Sequence, residues 1–355
     1  LTQGVMVGIA LVLIFLPTTL ALPTWFNKYL LTCMGVAVAG IGLGGCVFAF
    51  SVNAVIERTG SFRWALRMVG FVSLAACLVS SFFIKPRVNT HPPLSQTLTK
   101  EFISTNYKLI FDWKIFKQYT MISLGLWFGL AFLGYVLCLF SLSPFAKLVG
   151  LANSQGTVLT ALINVGQMVG RPMMGLYADT LGRTNFTILM NIVITILIYG
   201  WWMNTSSFGS LIGFSLVSGL FFGVSSTMGQ SLAFDIIEDP ARLPSAWSVI
   251  NSVGGFFALV SEVIALKLVK PESPHPYLHP QIFGRACFAA GIVFLLINRE
   301  WLIRRKLRRR QLDHYDNEHE ELDKIKFDTR SRRYNTILQP NIVGYLIRMF
   351  YPTSV

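Results

Sequence analysis

Nine stretches of mostly apolar residues run along this chain, at about 2–22, 31–53, 63–84, 119–141, 155–177, 186–203, 208–234, 245–268 and 283–302. Each is close to the ~20 residues that carry a helix across the hydrocarbon core of a bilayer. Few folds accept such a chain. Inside lipid no water satisfies the backbone, so each stretch must bond to itself as a helix or close into a barrel. Runs this long and this apolar predict helices, and the expected class is an all-α polytopic membrane protein with nine transmembrane helices. The composition agrees. Of 355 residues, 53% are hydrophobic and 13% charged, against ~25% charged in a water-soluble domain.

Charge sets the orientation. The formal net charge of +13 points to basic loops on the cytoplasmic face, and no nucleic-acid partner is expected. Lys28, then six Lys and Arg in 85–118, then Arg183, then Arg242 occupy alternate connections, and the tail from Arg304 onward holds twelve. The other connections carry only Arg58, Lys147 and Lys270 in turn. The C-terminus is therefore placed in the cytoplasm and Leu1 on the outer side, and three further helices before it would return the N-terminus inside. The chain is expected to be N-terminally truncated. Its pattern is three spans (1–84), a long connection (85–118), six spans (119–303) and a basic tail (304–355). Lys108–Lys117 reads equally as an interfacial helix with aromatic anchors and as a plain lead into the next span. The tail's basic start is expected to fix topology more than to hold anionic lipid, and Ile342–Ile347 is too short to span.

Polar residues inside spans are the informative ones, because a charge at mid-bilayer costs ~2.5–3.5 kcal/mol or more and so faces protein or water. Thr157, Thr160, Asn164, Gln167 and Arg171 recur at spacings of 3, 4, 3 and 4, which puts all five on one helix face. Such a stripe suits an aqueous cavity for an anionic solute, with Arg171 matching a carboxylate bidentately. The alternative is a polar seam between helices, with Arg171 paired to a buried acid. Ser248, Asn251, Gly255, Ala258 and Glu262 form a second stripe. There Glu262 is either a proton carrier, a structural partner for a buried cation, or a group snorkelling to the outer interface. Tyr119, Ser123 and Trp127, and Ser215, Ser218, Phe222 and Ser225, are weaker candidates for solute contact. The run Gly40-Ile41-Gly42-Leu43-Gly44-Gly45 lets a neighbouring helix come close.

Enzymatic chemistry is not expected. No lysine-bearing Gly-rich phosphate loop, HExxH or GxSxG occurs. The five His, at 91, 275, 279, 314 and 319, fall in predicted loops or the tail. The five cysteines show no CxxC pairing and read as small apolar residues. No cofactor or metal is implied.

Gly175-Leu176-Tyr177-Ala178-Asp179-Thr180-Leu181-Gly182-Arg183 resembles the cytoplasmic loop signature of the major facilitator superfamily, Gly-x-Leu-Ala-Asp-x-x-Gly-Arg, with Tyr177 at the usual Leu position. The resemblance implies a cytoplasmic latch. Gly175 and Gly182 would permit a tight turn, Asp179 would sit at a helix N-terminus, and Arg183 would pair across the loop. Two further runs, Trp25-Phe26-Asn27-Lys28-Tyr29 with its following small-residue helix, and Gly166-Gln167-Met168-Val169-Gly170-Arg171-Pro172, are similar to the fifth and eighth helices of fungal monocarboxylate permease-like proteins. This implies a major facilitator fold lacking its first three helices. Residues 1–84 would be a partial N-terminal half (helices 4–6), 85–118 a cytoplasmic linker, and 119–303 the complete C-terminal half. The implied function is secondary transport of a monocarboxylate or related organic anion by alternating access, most naturally at the plasma membrane, with Arg171, Gln167 and Asn164 at the solute. Animal members carry an Asp where Gln167 stands, and Gln cannot titrate. Any proton coupling would therefore fall to Glu262 or to a group in the absent helices. The same branch includes facilitative riboflavin carriers, and a membrane sensor that binds without moving its solute, or an inactive fragment, is the competing class.

Overall fold

The computed structural model describes residues 5–26, 29–84, 112–205, 207–239, 242–270, 272–273, 275–316, 331–332 and 334–352. Among them helices form in all nine predicted segments. They are α1 (Val7–Trp25), α2 (Leu30–Thr59), α3 (Phe62–Phe83), α4 (Tyr119–Leu148), α5 (Asn153–Leu181), α6 (Arg183–Gly200), α7 (Phe208–Phe222) continued by α8 (Val224–Ile237), α9 (Leu243–Leu268) and α10 (Leu278–Asp316). A short helix, α11 (Ile342–Met349), follows. Seven spans, namely α2, α3, α4, α6, α7 with α8, α9 and α10, are long and apolar enough to cross a membrane. No strand occurs among the described residues. The chain is an integral membrane protein of all-α class.

Helix ends follow local chemistry. Gly60, at φ 65°, closes α2 by donating its N–H to Ile56 O at 2.8 Å, a left-handed terminus that glycine adopts without steric cost. Gly182, at φ 90°, makes the one-residue turn from α5 into α6. Residues 208–237 are not one continuous helix as expected. The run breaks at Gly223. Of the segment Lys108–Lys117, the part before Asp112 lies outside the described residues. The rest is a single turn, Trp113–Phe116, capped by Asp112 Oδ1 accepting from Lys114 N at 2.8 Å.

α5 stands at the centre, packed between α2 on one face and α7 on the other, while α4 packs on α9 and α10, and α6 on α10. Trp127, Trp202 and Trp247 are fully enclosed in the core around α4. Trp127 Nε1 reaches Asn191 Oδ1 at 3.4 Å, so the indole's one donor is used. The outside is apolar. Leu74, Phe82, Leu259, Leu266 and Val293 are all more than half exposed, and of α3 only Ala65 is buried. Water would not tolerate such a surface; lipid does, because tails solvate it as well as protein does.

The tail departs from expectation. α10 runs on to Asp316, well past the end at 302 read from hydropathy, because Arg and Lys are good helix formers once the apolar face has set the register. His279, expected in a loop, lies in the first turn of this helix, which begins at Leu278, and His314 of the tail lies in its extension. α11 folds back against α10. Arg348 Nε meets Glu300 Oε1 at 2.5 Å with both side chains buried, and Arg348 Nη1 donates to Ile337 O at 2.6 Å and Gln339 O at 3.0 Å. Arg299 Nη2 donates to Tyr351 O at 2.7 Å. The tail thus does more than carry topogenic charge: part of it is built into the bundle.

Candidate functional site

The polar stripe of α5 faces α2, and the two helices run antiparallel. A Cβ on Gly175 would strike Leu31 O, one on Gly35 would strike Arg171 O, and one on Gly42 would lie 2.6 Å from Asn164 O. Residue numbers rise on one helix as they fall on the other, so glycines on both let the backbones touch. The opposite face of α5 repeats the device. Gly166 and Gly170 abut the backbone of α7 at Leu216, Gly219 and Leu220. With backbone against backbone there is no room for a channel along the stripe. The structure shows a closed seam there, which corrects the expectation of an open aqueous cavity.

Within the seam three predicted residues come together, though not equally. Arg171 is 3% exposed and Gln167 1%. Arg171 Nη1 donates to Val38 O at 2.6 Å and Nη2 to Gln167 Oε1 at 2.5 Å. Gln167 Nε2 donates to Tyr135 Oη at 3.2 Å. The chain Tyr135–Gln167–Arg171–Val38 therefore ties α4, α5 and α2 together. Asn164 lies a turn away. Its Nδ2 donates to Thr160 O at 3.0 Å, and its side-chain amide lies where a Cβ on Gly45 would be. On the fourth side, a Cβ on Gly223 would come 2.7 Å from Arg171 Cγ and 2.8 Å from Nε. Glycine at the α7–α8 break is what leaves space for the guanidinium.

The electrostatics of Arg171 are incomplete. Among the described residues no carboxylate pairs with it, and its Nε is buried without a hydrogen-bond partner. The expected alternative, a clamp to a buried acid, is therefore not what these residues form. A bond from a charged donor is worth ~1.5–3 kcal/mol, but stripping an ion of water costs several kcal/mol even after relaxation. Two neutral acceptors only partly offset that. The guanidinium is thus left with an unused donor and no counter-charge among the described residues.

The loop signature is placed at the end of the same seam, with partners that its spacing did not indicate. Asp179 lies in the last turn of α5, not at its own helix's N-terminus. Its Oδ2 accepts from Thr32 Oγ1 at 3.1 Å, in the first turn of α2, so the favourable dipole end belongs to the neighbouring helix. Arg183 opens α6 and pairs with Asp235 of α8 at 2.6 Å, not with a group across the loop. Glu238 of the same acidic segment holds Arg305 at 2.7 Å and Arg309 at 2.5 Å. Asp235, Glu238, Tyr135 and Gly223 were not singled out from sequence. The acidic run Asp235–Asp239 facing a strongly basic tail was the available signal for the first two; nothing local pointed to Tyr135. Both partners of the Arg183–Asp235 pair are roughly a quarter exposed. Solvent screening limits its worth, and Arg183→Ala is expected to lower stability by only about 1 kcal/mol, measurable as a small downward shift of Tm in detergent that Arg183→Lys largely restores.

The remaining candidates lie elsewhere. Glu262 stands on the exposed face of α9, and the structure does not bring it to Arg171. Ser123 Oγ donates to Phe294 O of α10 at 3.0 Å, and Trp127 is sealed in the core. Ser215 and Ser218 are buried and bond carbonyls of their own helix. The side chains of Ser123, Trp127, Ser215 and Ser218 serve packing in this structure. No group of three or more His, Cys, Asp or Glu that could hold a metal occurs among the described residues.

Comparison with known proteins agrees with this architecture. The chain is 36% identical over 366 residues to an uncharacterised transporter, ESBP6, of Saccharomyces cerevisiae, covering 100% of this chain and 54% of that protein. It is 28% identical over 309 residues to the probable transporter MCH2 of the same yeast, covering 86% of the chain and 61% of the relative. It is 32% identical over 309 residues to the MFS-type transporter pynF of Aspergillus niger, covering 85% and 68%. The chain thus spans little more than half the length of the first two relatives. Residues 3–259 match the family described as the Major Facilitator Superfamily, and with the loop signature and the helical bundle this establishes that the chain belongs to that superfamily.

Proposed function

We propose that the protein this chain represents is a secondary transporter that moves a small organic anion, of monocarboxylate type, across the plasma membrane by alternating access. Residues 1–84 and 119–303 act as the two bodies, the first partial and the second a complete six-helix half, joined by a cytoplasmic linker at 85–118. Rocking of one body against the other exposes a central site alternately to either side. In this reading the α2–α5 seam is one closed gate. It parts to admit solute, whose carboxylate then meets Arg171, while Gln167 and Asn164 hydrogen-bond the remainder. Asp179 and Arg183 hold the cytoplasmic end through α2 and α8, where Gly175 lets α5 lie against α2 and Gly182 turns the chain. Glu262 remains the candidate for a coupled proton, since Gln167 cannot take one. The reading is of a carrier and not an enzyme.

One observation carries the anionic character of the solute: a buried guanidinium with two neutral acceptors, an unused Nε and no carboxylate among the described residues. Evolution toward a purely structural seam has no need of that cost. The test is uptake by the whole protein with Arg171→Ala and Arg171→Lys. Uptake of small monocarboxylates is expected to fall to background in the alanine variant at unchanged surface expression. Partial recovery is expected in the lysine variant, which keeps the charge but loses the bidentate fork. Undiminished acid uptake in Arg171→Ala would remove Arg171 from the mechanism. Riboflavin uptake insensitive to Arg171, with no acid uptake in the parent, would replace the anion by a neutral solute.

A further inference from the structure

The ends of α4, α8, α9 and α10 converge around a cleft of about 720 Å³ beside the basic run that follows α10's apolar stretch. Five guanidiniums line it, from Arg242, Arg304, Arg305, Arg308 and Arg309, against one carboxylate, Asp239. Two of the five have fixed tasks. Arg305 donates to Ile236 O at 2.8 Å and Glu238 Oε2 at 2.7 Å, and lies 5.1 Å from the centroid of the Trp301 ring. Arg309 shares Glu238 at 2.5 Å. Arg242 reaches Asp239 only at 4.0 Å. Arg304 and Arg308 have no carboxylate partner among the described residues, and Arg304 Nε is buried with no hydrogen bond. Setting Asp239 and Glu238 against the five cations leaves an excess of three positive charges.

A neighbouring cleft is less unbalanced: counting lining residues alone, it carries an excess of two positive charges against four here, with Arg305 and Arg309 bordering both. On the other flank of α10, a cavity of about 550 Å³ also gathers five cations. There three carboxylates, Asp179, Asp235 and Glu238, answer them. The two clefts share the same arginine-rich helix, so composition alone does not make the difference; three acids line one flank and Asp239 alone lines the other.

We propose that the unbalanced cleft binds a phosphate-bearing headgroup, that of an acidic phospholipid in the cytoplasmic leaflet. Guanidiniums match phosphate oxygens with forked, charge-assisted hydrogen bonds. The cleft lies where α10 passes from its apolar run to its arginines, with Trp301 and Tyr119 in the wall. Those are the aromatic types that settle at headgroup level, and basic pockets between helices on this side suit anionic lipid. Leu312 and Tyr119, both more than half exposed, offer an apolar edge for the acyl chains. The site is independent of Arg171 and of whatever solute is carried.

The experiment uses the full-length protein in nanodiscs of phosphatidylcholine doped with phosphatidylinositol 4-phosphate, and counts retained lipid by native mass spectrometry. Arg304→Gln with Arg308→Gln is expected to weaken phosphoinositide retention by about thirtyfold. Lys306→Gln with Arg310→Gln removes the same charge from the opposite flank, since residues two apart on a helix face away from each other. It is expected to leave retention nearly unchanged. Melting in pure phosphatidylcholine discs shows whether either variant is misfolded; if the first is, the rise in Tm of the unaltered protein on adding phosphoinositide reads the site directly. A water-soluble inositol phosphate that binds in pure phosphatidylcholine discs and is lost in the same variant keeps the phosphate site and moves its source to the cytosol. Equal loss in both variants reduces the effect to general surface charge and overturns the proposal. So does an unaltered protein that retains and responds to none of these phosphates.

Discussion

Gly42→Leu is expected to abolish accumulation of folded protein or to destabilise it by about 3 kcal/mol or more, while Gly40→Leu, two residues away, has little effect. The contrast comes from what surrounds each position. A Cβ on Gly42 would lie 2.6 Å from Asn164 O and 2.7 Å from Met168 N. Both atoms are backbone in the middle of a helix, so neither can rotate aside. A leucine must push α2 off α5, opening the seam and stretching the Arg171–Val38 bond beyond use. Overpacking of a tight core costs ~1–3 kcal/mol when neighbours can adjust, and more when they cannot. A Cβ on Gly40 meets nothing within 4 Å and the residue is exposed, so leucine there gains helix propensity over glycine and faces lipid. Detergent melting curves and uptake by the whole protein check both. A tolerated Gly42→Leu would mean that α2 and α5 are not in contact in the resting protein.

Arg348→Ala is expected to release the C-terminal helix while leaving the spans folded. The substitution leaves Glu300 charged and 3% exposed, and breaking one side of a buried pair typically costs ~3–5 kcal/mol. It also strands Ile337 O and Gln339 O, the other two acceptors of this guanidinium. Undocking α11 is the cheaper way to rehydrate Glu300, because α11 is a short helix whose main packing is on α10 around Arg299 and Glu300. Amide exchange across 342–349 should then approach that of a free peptide, and proteolysis should clip the tail, with the melting of the bundle little altered. Pairing Arg348→Met with Glu300→Leu is expected to restore much of the protection, since apolar pairs of similar volume replace buried ion pairs at little cost. Full protection of the tail in Arg348→Ala alone would show that the ion pair does not hold it.

Some of this was written in local chemistry. Spans of ~20 apolar residues admit only helices in lipid, and every predicted segment contains one. The Arg171–Gln167 contact was equally local, because residues four apart share a helix face. Local also was the turn at Gly182. What the stripe of α5 would face was a different matter. Gly35, Gly42 and Gly45 advertised that some helix could come near; nothing in their spacing named α5, its antiparallel direction or the register that sets Gly42 on Asn164. Without that register, a polar stripe reads as well for a water-filled channel as for a seam.

The same division holds at the Asp179 end of the seam. Asp179, Arg183 and the arginines after residue 303 were visible as charges in the sequence. Their partners, Thr32 of α2 and Asp235 and Glu238 at the end of α8, come from two other helices. Glu300 and Arg348 likewise gave no sign of meeting across 48 residues. Periodicity and length act within one helix and are decided by the solvent each residue must face, so the sequence by itself determined where the apolar helical segments fall and the all-α class. Which polar groups pair, and which cation is left without an anion, depends on contacts between segments far apart in the chain. Only the tertiary packing of backbone on backbone decided those.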